Sequence, residues 1–384
     1  MQGGWAAEGI LGDLKAASDA RRRLGNERLN GTVRISVAMA TYNGERYIRE
    51  LLDSLARQTH ALFELVITDD GSTDSTLDIA ADFARSAPFP VHIHRNVERL
   101  KHTRNFLRAA SLCVGDWIAF CDQDDVWLDH KLSRVSESIS LHPEAILVQH
   151  SGIMVDEKLA PTGIMAPHFL QDAILPPICE SGFTEHKSYL GFSMIFRAGL
   201  IRDYTSIALP EGTLYDNIEG EETFGHDKYI HFLSEILGHI VHIAEPLVLY
   251  RRHAEAVSFS FYNPISMKSR GMNGDLISKM RSNSLKKKEQ LIRWERQSRQ
   301  ISMILRNAVI SDTLLAKRVE LAIVMYLERA DLFCLRIGLY NKSRSKRLNR
   351  FLALFKASAY KSRRKGGLGS AGFISDVLKV VFEV

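Results

Sequence analysis

Residues 33–69 read VRISVAMATYNGERYIRELLDSLARQTHALFELVITD, and this stretch decides the fold. An apolar, β-branched run (VRISVAMAT) gives way to an amphipathic helical pattern (RYIRELLDSLARQ) and then to a second apolar run (FELVITD). Strand, helix and strand in that order make a βαβ unit, the building block of a parallel sheet. The alternation continues through STLDIAADFAR, VHIHR, HTRNFLRAASLC, DWIAFCD, HKLSRVSESISLH and AILVQHSGIMV. Apolar strands separated by amphipathic helices predict an open, doubly wound, mainly parallel α/β sheet.

The 384 residues, 45% of them hydrophobic, suffice for one large α/β domain and a smaller companion. Residues 1–32 carry only a weak helical pattern and read as an N-terminal extension. Ordered structure is expected from Val33 to about residue 265, and residues 266–384 turn helical and basic. The net charge of +5 hides an asymmetry. Lys268 to Gly366 holds 25 Lys/Arg against 7 Asp/Glu, a net of 25 − 7 = +18, so the rest of the chain carries 5 − 18 = −13.

No run of about 18 apolar residues occurs and no leader pattern opens the chain, so a soluble or peripheral protein is expected. Cys113, Cys121, Cys179 and Cys334 show no C-x-x-C spacing. That argues against a thiolate zinc site and reads as core cysteines in a reducing cytosol.

In a doubly wound sheet, ligands sit beyond the carboxyl ends of the strands, where strand order reverses. The exits after the first, second and fourth strands read TYNGE, DDGSTD and DQDD. Asp122, Asp124 and Asp125 would repel one another near a low-dielectric interior unless a cation neutralised them. A divalent ion, Mg²⁺ or Mn²⁺, sharing its shell with phosphate oxygens fits that need. Asp125 could instead cap the helix that follows, and Asp74 reads as the cap of the helix after DDGS. Asp69 and Asp70 could accept the imino N–H of a pyrimidine base. The Pro-containing stretch from about 156 to 190 is long and irregular and is expected to be a substrate-facing loop region.

Together, SVAMATYNGERYIRELLDSLARQT, VITDDGSTDST, RNFLRAASLCVGDWIAFCDQDDVW and GHDKY resemble the GT-A glycosyltransferases of family 2. They are most similar to the bacterial rhamnosyltransferase-like members that build surface polysaccharides. The resemblance spans Val33 to about Ser258 and implies a Rossmann-like GT-A domain with a basic α-helical C-terminal extension. It implies that Thr41 and Tyr42 line the nucleoside pocket, with Tyr42 against the base, that Asp69 bonds the pyrimidine and that Arg104 helps hold the nucleotide. Asp122 and Asp124 match the Asp-x-Asp motif, the first near the ribose and the second on the metal. Asp227 becomes the catalytic base of an inverting transfer, while Arg251 and His253, on one face of a strand end, reach the diphosphate or the metal. Many relatives have Glu where this chain has His226.

QLIRW at residues 290–294 matches a signature of processive members, but no spanning helices follow it, so addition of a single sugar is expected. The expected donor is dTDP-rhamnose or a UDP-sugar, and the acceptor a glycan or a polyprenyl-linked glycan. The C-terminal helices interleave apolar and basic residues, which suits contact with anionic lipid at the inner face of the cytoplasmic membrane and equally a bundle with a solvated basic face. No nucleic-acid-binding motif accompanies the charge. A nucleotidyltransferase would need a Gly- and Lys-rich phosphate loop, which TYNGER is not. The non-enzymatic alternative is a nucleotide-sugar-binding scaffold of a polysaccharide assembly complex.

Overall fold

The computed structural model describes residues 33–181, 190–202, 225–254 and parts of 288–356. Readings that fall on 1–32, most of QLIRW or the last 28 residues lie outside the described residues. The chain divides into two units, Met1–Pro177 with Ser188–Phe259, and Ile178–Lys187 with Ser260–Val384.

Among the described residues, the first unit is built on one ten-stranded sheet. Its strands are β1 (Ile35–Thr41), β2 (Glu64–Asp69), β3 (Val91–Arg95), β4 (Trp117–Cys121), β5 (Val126–Trp127), β6 (Ala145–Val155), β7 (Pro161–Met165), β8 (Ala173–Leu175), β9 (Met194–Arg197) and β10 (His239–Arg251). The main path runs β3-β2-β1-β4-β9-β6-β10-β5. Strands β3, β2, β1 and β4 are mutually parallel. β9 is antiparallel to both β4 and β6, and β6 is parallel to β10, so β10 ends on the same edge of the sheet as β1. Every residue of β1, β2 and β4 is buried, as strands covered on both faces require.

The longer helices described in this unit are α1 (Ile48–Ala56), α2 (Thr76–Ala84), α3 (Lys101–Leu112), α4 (Lys131–Leu141) and α5 (His226–Leu237). In α1 the buried Ile48, Leu51, Leu52 and Leu55 recur at helical spacing and join the core cluster with Val37, Met39 and Ile67 of the sheet. The 156–190 stretch corrects its expectation as a loop. β7 pairs with β6 and β8 with β10, so the described part of this segment widens the sheet. Its alternation was obscured by prolines and by the shortness of both strands.

In the second unit, the described residues between 288 and 306 are helical. α6 (Thr313–Ile337) and α7 (Arg344–Lys356) pack around Leu339 and Leu354, with Leu332, Leu335 and Phe351 against them. No described helix is long and apolar enough to cross a membrane. Cys113 and Cys121 are buried as expected, Cys179 is half-buried, and Cys334 is exposed on α6, since it falls on the helix face away from the core.

Candidate active site

The carboxyl ends of β1, β2, β4 and β10 and the first turn of α5 gather the residues that carry chemistry. β1 lies between β2 and β4, so the connections leave it on opposite sides and open a crevice at its end.

At the β2 end, the turn is held by carboxylates. Asp69 is fully buried. Its Oδ1 accepts the N–H of Gly71 at 3.1 Å and of Ser72 at 2.9 Å, and its Oδ2 accepts the hydroxyls of Thr41, at 3.0 Å, and Ser72. Gly71 takes a φ of +88°, a conformation glycine adopts without strain. The sequence suggested a base ligand at Asp69. The structure gives its carboxylate four donors within the chain, so an imino N–H would have to displace one of them. Asp70 accepts the N–H groups of Leu100 (2.6 Å) and Lys101 (2.7 Å) and the Asn96 amide (2.9 Å), which closes the start of α3. Asp74 does serve the start of α2, accepting the N–H of Thr76 at 3.1 Å.

Tyr42 is 39% exposed, and the guanidinium of Arg99 lies 4.1 Å from its ring centroid. Arg99 also stands 3.8 Å from Asp70. Arg104, the basic residue singled out from sequence, is exposed on α3. The cation over the Tyr42 ring is Arg99. Arg99 sits in a loop without periodicity, and only the fold brings it to Tyr42. Gln123 was also missed. Its side chain accepts the N–H of Tyr42 at 3.0 Å and donates to the carbonyl of Tyr42 at 3.1 Å, tying the exit of β1 to the exit of β4. Gly44 leaves room for it, since a Cβ there would stand 2.4 Å from Gln123 Oε1.

The DQDD carboxylates take three different positions. Asp125 is fully buried and accepts the N–H of Arg251 at 3.0 Å. It does not cap a helix, because β5 intervenes and α4 begins only at Lys131. Asp124 Oδ2 meets His253 Nε2 at 2.7 Å. Asp122 is half-buried, and its carboxyl is pushed up to about 8 by burial, then by the like charges of Asp124 and Asp227, with Lys131 opposing. Lys131 is a buried counter-charge. Its Nζ donates to the Phe192 carbonyl at 3.0 Å and lies 3.4 Å from the Trp127 ring centroid, and burial lowers it to about 7.

Asp227 sits in the first turn of α5. Burial pushes its carboxyl up to about 6, against the opposing N–H of Lys228, which donates to Oδ1 at 2.7 Å. Gly225 admits the carboxylate, because a Cβ there would lie 2.5 Å from Asp227 Oδ1. Residues about a hundred positions apart thus share one electrostatic environment.

Arg251, expected to reach the diphosphate or the metal, is engaged within the chain. Although it stands beside His253 at the end of β10, it is 2% exposed. Its guanidinium is spent on the carbonyls of Asp124 (2.8 Å) and Glu157 (2.7 Å) and on the carboxylate of Glu50. Through these bonds it braces the loop after β4. The alternation of strand residues identified the shared face but could not tell a brace from a ligand.

Among the described residues no three His, Cys, Asp or Glu side chains form a cage that would hold an ion alone. A Mg²⁺ or Mn²⁺ site of the GT-A kind needs only one or two carboxylates, since phosphate oxygens complete the shell. Asp124, His253 and Asp122 fit it: an oxygen and a nitrogen already face each other, and burial, then the like charges of Asp124 and Asp227, raise the Asp122 carboxyl, a penalty that a cation would relieve.

Residues 36–179 match the family model described as Glycosyl transferase family 2. An uncharacterized protein of Mycobacterium tuberculosis, Rv1520, is 28% identical over 233 residues, covering 59% of this chain and 61% of that protein. The chain therefore spans about three fifths of the length of such curated relatives. The dTDP-rhamnosyl transferase RfbG of Shigella flexneri is 35% identical over 105 residues, 26% of this chain and 36% of that one. Among solved structures, S. aureus TarS in complex with UDP superposes with a TM-score of 0.50 at 17% identity, covering 90% of this chain and 89% of that one. This last likeness is one of fold, and it is a GT-A fold.

Proposed function

We propose, from the match of residues 36–179 to the family model of glycosyl transferase family 2, that this protein moves one sugar from a nucleotide-sugar donor to a growing polysaccharide or lipid-linked glycan, with inversion. The observation that carries the reading is the pairing of two carboxyl environments. Asp227, held near 6, is available as a base around neutrality, and Asp122 feels its charge from the metal-motif loop. Asp227 would take the proton of the acceptor hydroxyl while that oxygen bonds to the anomeric carbon and the bond from this carbon to the diphosphate breaks. Asp122, Asp124 and His253 would hold the divalent ion, Mn²⁺ or Mg²⁺. When bound, such an ion supplies positive charge to the departing diphosphate.

Tyr42, Thr41 and Arg99 form the nucleoside side of the crevice in this reading. A relative named as a dTDP-rhamnosyl transferase supports dTDP-rhamnose as the donor, ahead of a UDP-sugar. For the acceptor, a polyprenyl-linked glycan at the inner face of the cytoplasmic membrane is consistent with the basic second unit. On α7, Leu348, Leu352 and Phe355 form an exposed row on a helix with five Lys/Arg and no acid.

Thermal shift with dTDP-rhamnose, dTDP and UDP-sugars, with and without Mn²⁺, tests the reading, since a ligand of the folded state raises its midpoint. Metal-dependent stabilisation that is lost in Asp124→Ala, followed by sugar transfer, supports the enzyme. Stabilisation without any turnover, even of donor to water, favours the nucleotide-sugar-binding scaffold.

A further inference from the structure

His226 precedes the proposed base, yet among the described residues its ring has no polar partner. The imidazole is 4% exposed, and neither ring nitrogen has a hydrogen-bond partner among the described residues. It stacks on Phe106 of α3, with centroids 4.1 Å apart and planes 11° apart. Phe120 of β4 meets it edge-on at 4.7 Å, and His102 of α3 at 5.1 Å. Gly191 backs the ring from another direction: a Cβ there would stand 2.7 Å from Nε2 of His226. Burial, and then the neighbouring His102, hold the imidazole well below its ordinary range, so the wedge is uncharged.

Two buried nitrogens without partners are costly for a position that only fills space. What the ring supplies is a flat body gripped from three directions. Phe106 belongs to the helix that starts at the Asp70 turn, and Phe120 lies two residues before Asp122 on the metal strand. Gly191 belongs to the turn that leads into β9. The first turn of α5 is therefore clamped, through this one ring, to the strand that ends in the metal motif. The residue next to the ring is Asp227.

We infer that His226 is a positioning residue: its ring, seated between Phe106, Phe120 and Gly191, fixes the first turn of α5 and thereby sets where the Asp227 carboxylate stands relative to Asp122 and Asp124. The inference rests on the reading of Asp227 as the base. It assigns no proton transfer to the imidazole. A reacting group displaced by a fraction of an ångström loses most of its advantage, so a loosened first turn lowers the rate while leaving the nucleotide pocket intact.

The test uses the full chain and the turnover of dTDP-rhamnose to dTDP, with UDP-sugars as alternative donors. His226→Ala is expected to lower kcat about 10- to 100-fold while donor KM stays within about twofold. Gly191→Ala, which pushes on the same ring from the other side, is expected to change kcat in the same direction. It carries the test if His226→Ala does not fold. In the Asp227→Asn background neither substitution should lower the rate further, because both act through that carboxylate. An unchanged kcat in the single variants would overturn the inference, as would a loss of equal size in the Asp227→Asn background or a rise in donor KM alone. If Asp227→Asn by itself leaves turnover unchanged, the base assignment fails first, and that outcome is recognisable without the His226 variants.

Discussion

Nε2 of His253 stands 2.7 Å from Oδ2 of Asp124, joining the end of the last central strand to the loop after β4 across 129 residues of sequence. The same strand end braces that loop through Arg251, so one two-residue reach of backbone supplies both a candidate ligand and its support.

Removing the imidazole should weaken metal binding and spare the fold. His253→Ala is expected to lower the apparent affinity for Mn²⁺ about 10- to 100-fold, read as the metal concentration needed for half-maximal donor stabilisation. Equal Mn²⁺ dependence in the variant and the parent would show that His253 does not touch the ion.

Asp227 sets a pH limit. Its carboxyl is raised to about 6, and only the ionised form accepts a proton. Going down in pH through 6, log(kcat/KM) should fall with unit slope, about tenfold per pH unit, and it should be level above. Asp227→Asn should cost about 10²- to 10⁴-fold in rate with donor binding unchanged. A flat profile between pH 5 and 7 argues for another base.

Arg251 should behave as a structural residue. Arg251→Lys leaves the carbonyls of Asp124 and Glu157 short of donors and is expected to cost about 1–3 kcal/mol of stability. Denaturant unfolding measures this. At saturating metal the donor Kd should move little, and a large selective loss of donor affinity in a fully stable variant would return Arg251 to the ligand set.

Arg99 and Arg104 can be separated by affinity. Truncating Arg99 removes a cation from the face of Tyr42, a contact worth about 0.5–2 kcal/mol. Arg99→Ala should therefore raise the donor Kd roughly 3- to 30-fold, and Arg104→Ala should change it less. Calorimetry with dTDP or UDP in the presence of Mn²⁺ decides between them, and the reverse order would restore Arg104 as the nucleotide contact.

The alternation of apolar runs and amphipathic helices determined the parallel core, because burial on both faces demands continuous apolar strands and leaves a local signature. The acidic exits were legible for a related reason: three carboxylates beside a buried strand have few physical explanations. The period of two in YRRH likewise put Arg251 and His253 on one face. Their division of labour was not local information. It depends on Glu50, Asp124 and Glu157, which the fold brings to Arg251 from the start of α1, the end of β4 and the end of β6, and no spacing rule links them. Tyr42 with Arg99, Asp122 with Asp227 and His226 with Phe106 are pairings of the same kind. The short β7 and β8 also escaped the sequence, since three to five residues are too few to show a period, and while YLGFSMIFRAGL reads as a strand, the antiparallel insertion of β9 between β4 and β6 is set by pairing partners far away in sequence. Which residues are charged or apolar is written in the chain. Which of them share a low-dielectric crevice, and so shift one another's protons, is decided by the tertiary fold, which sets the order of the strands and the helix and loops that meet their ends.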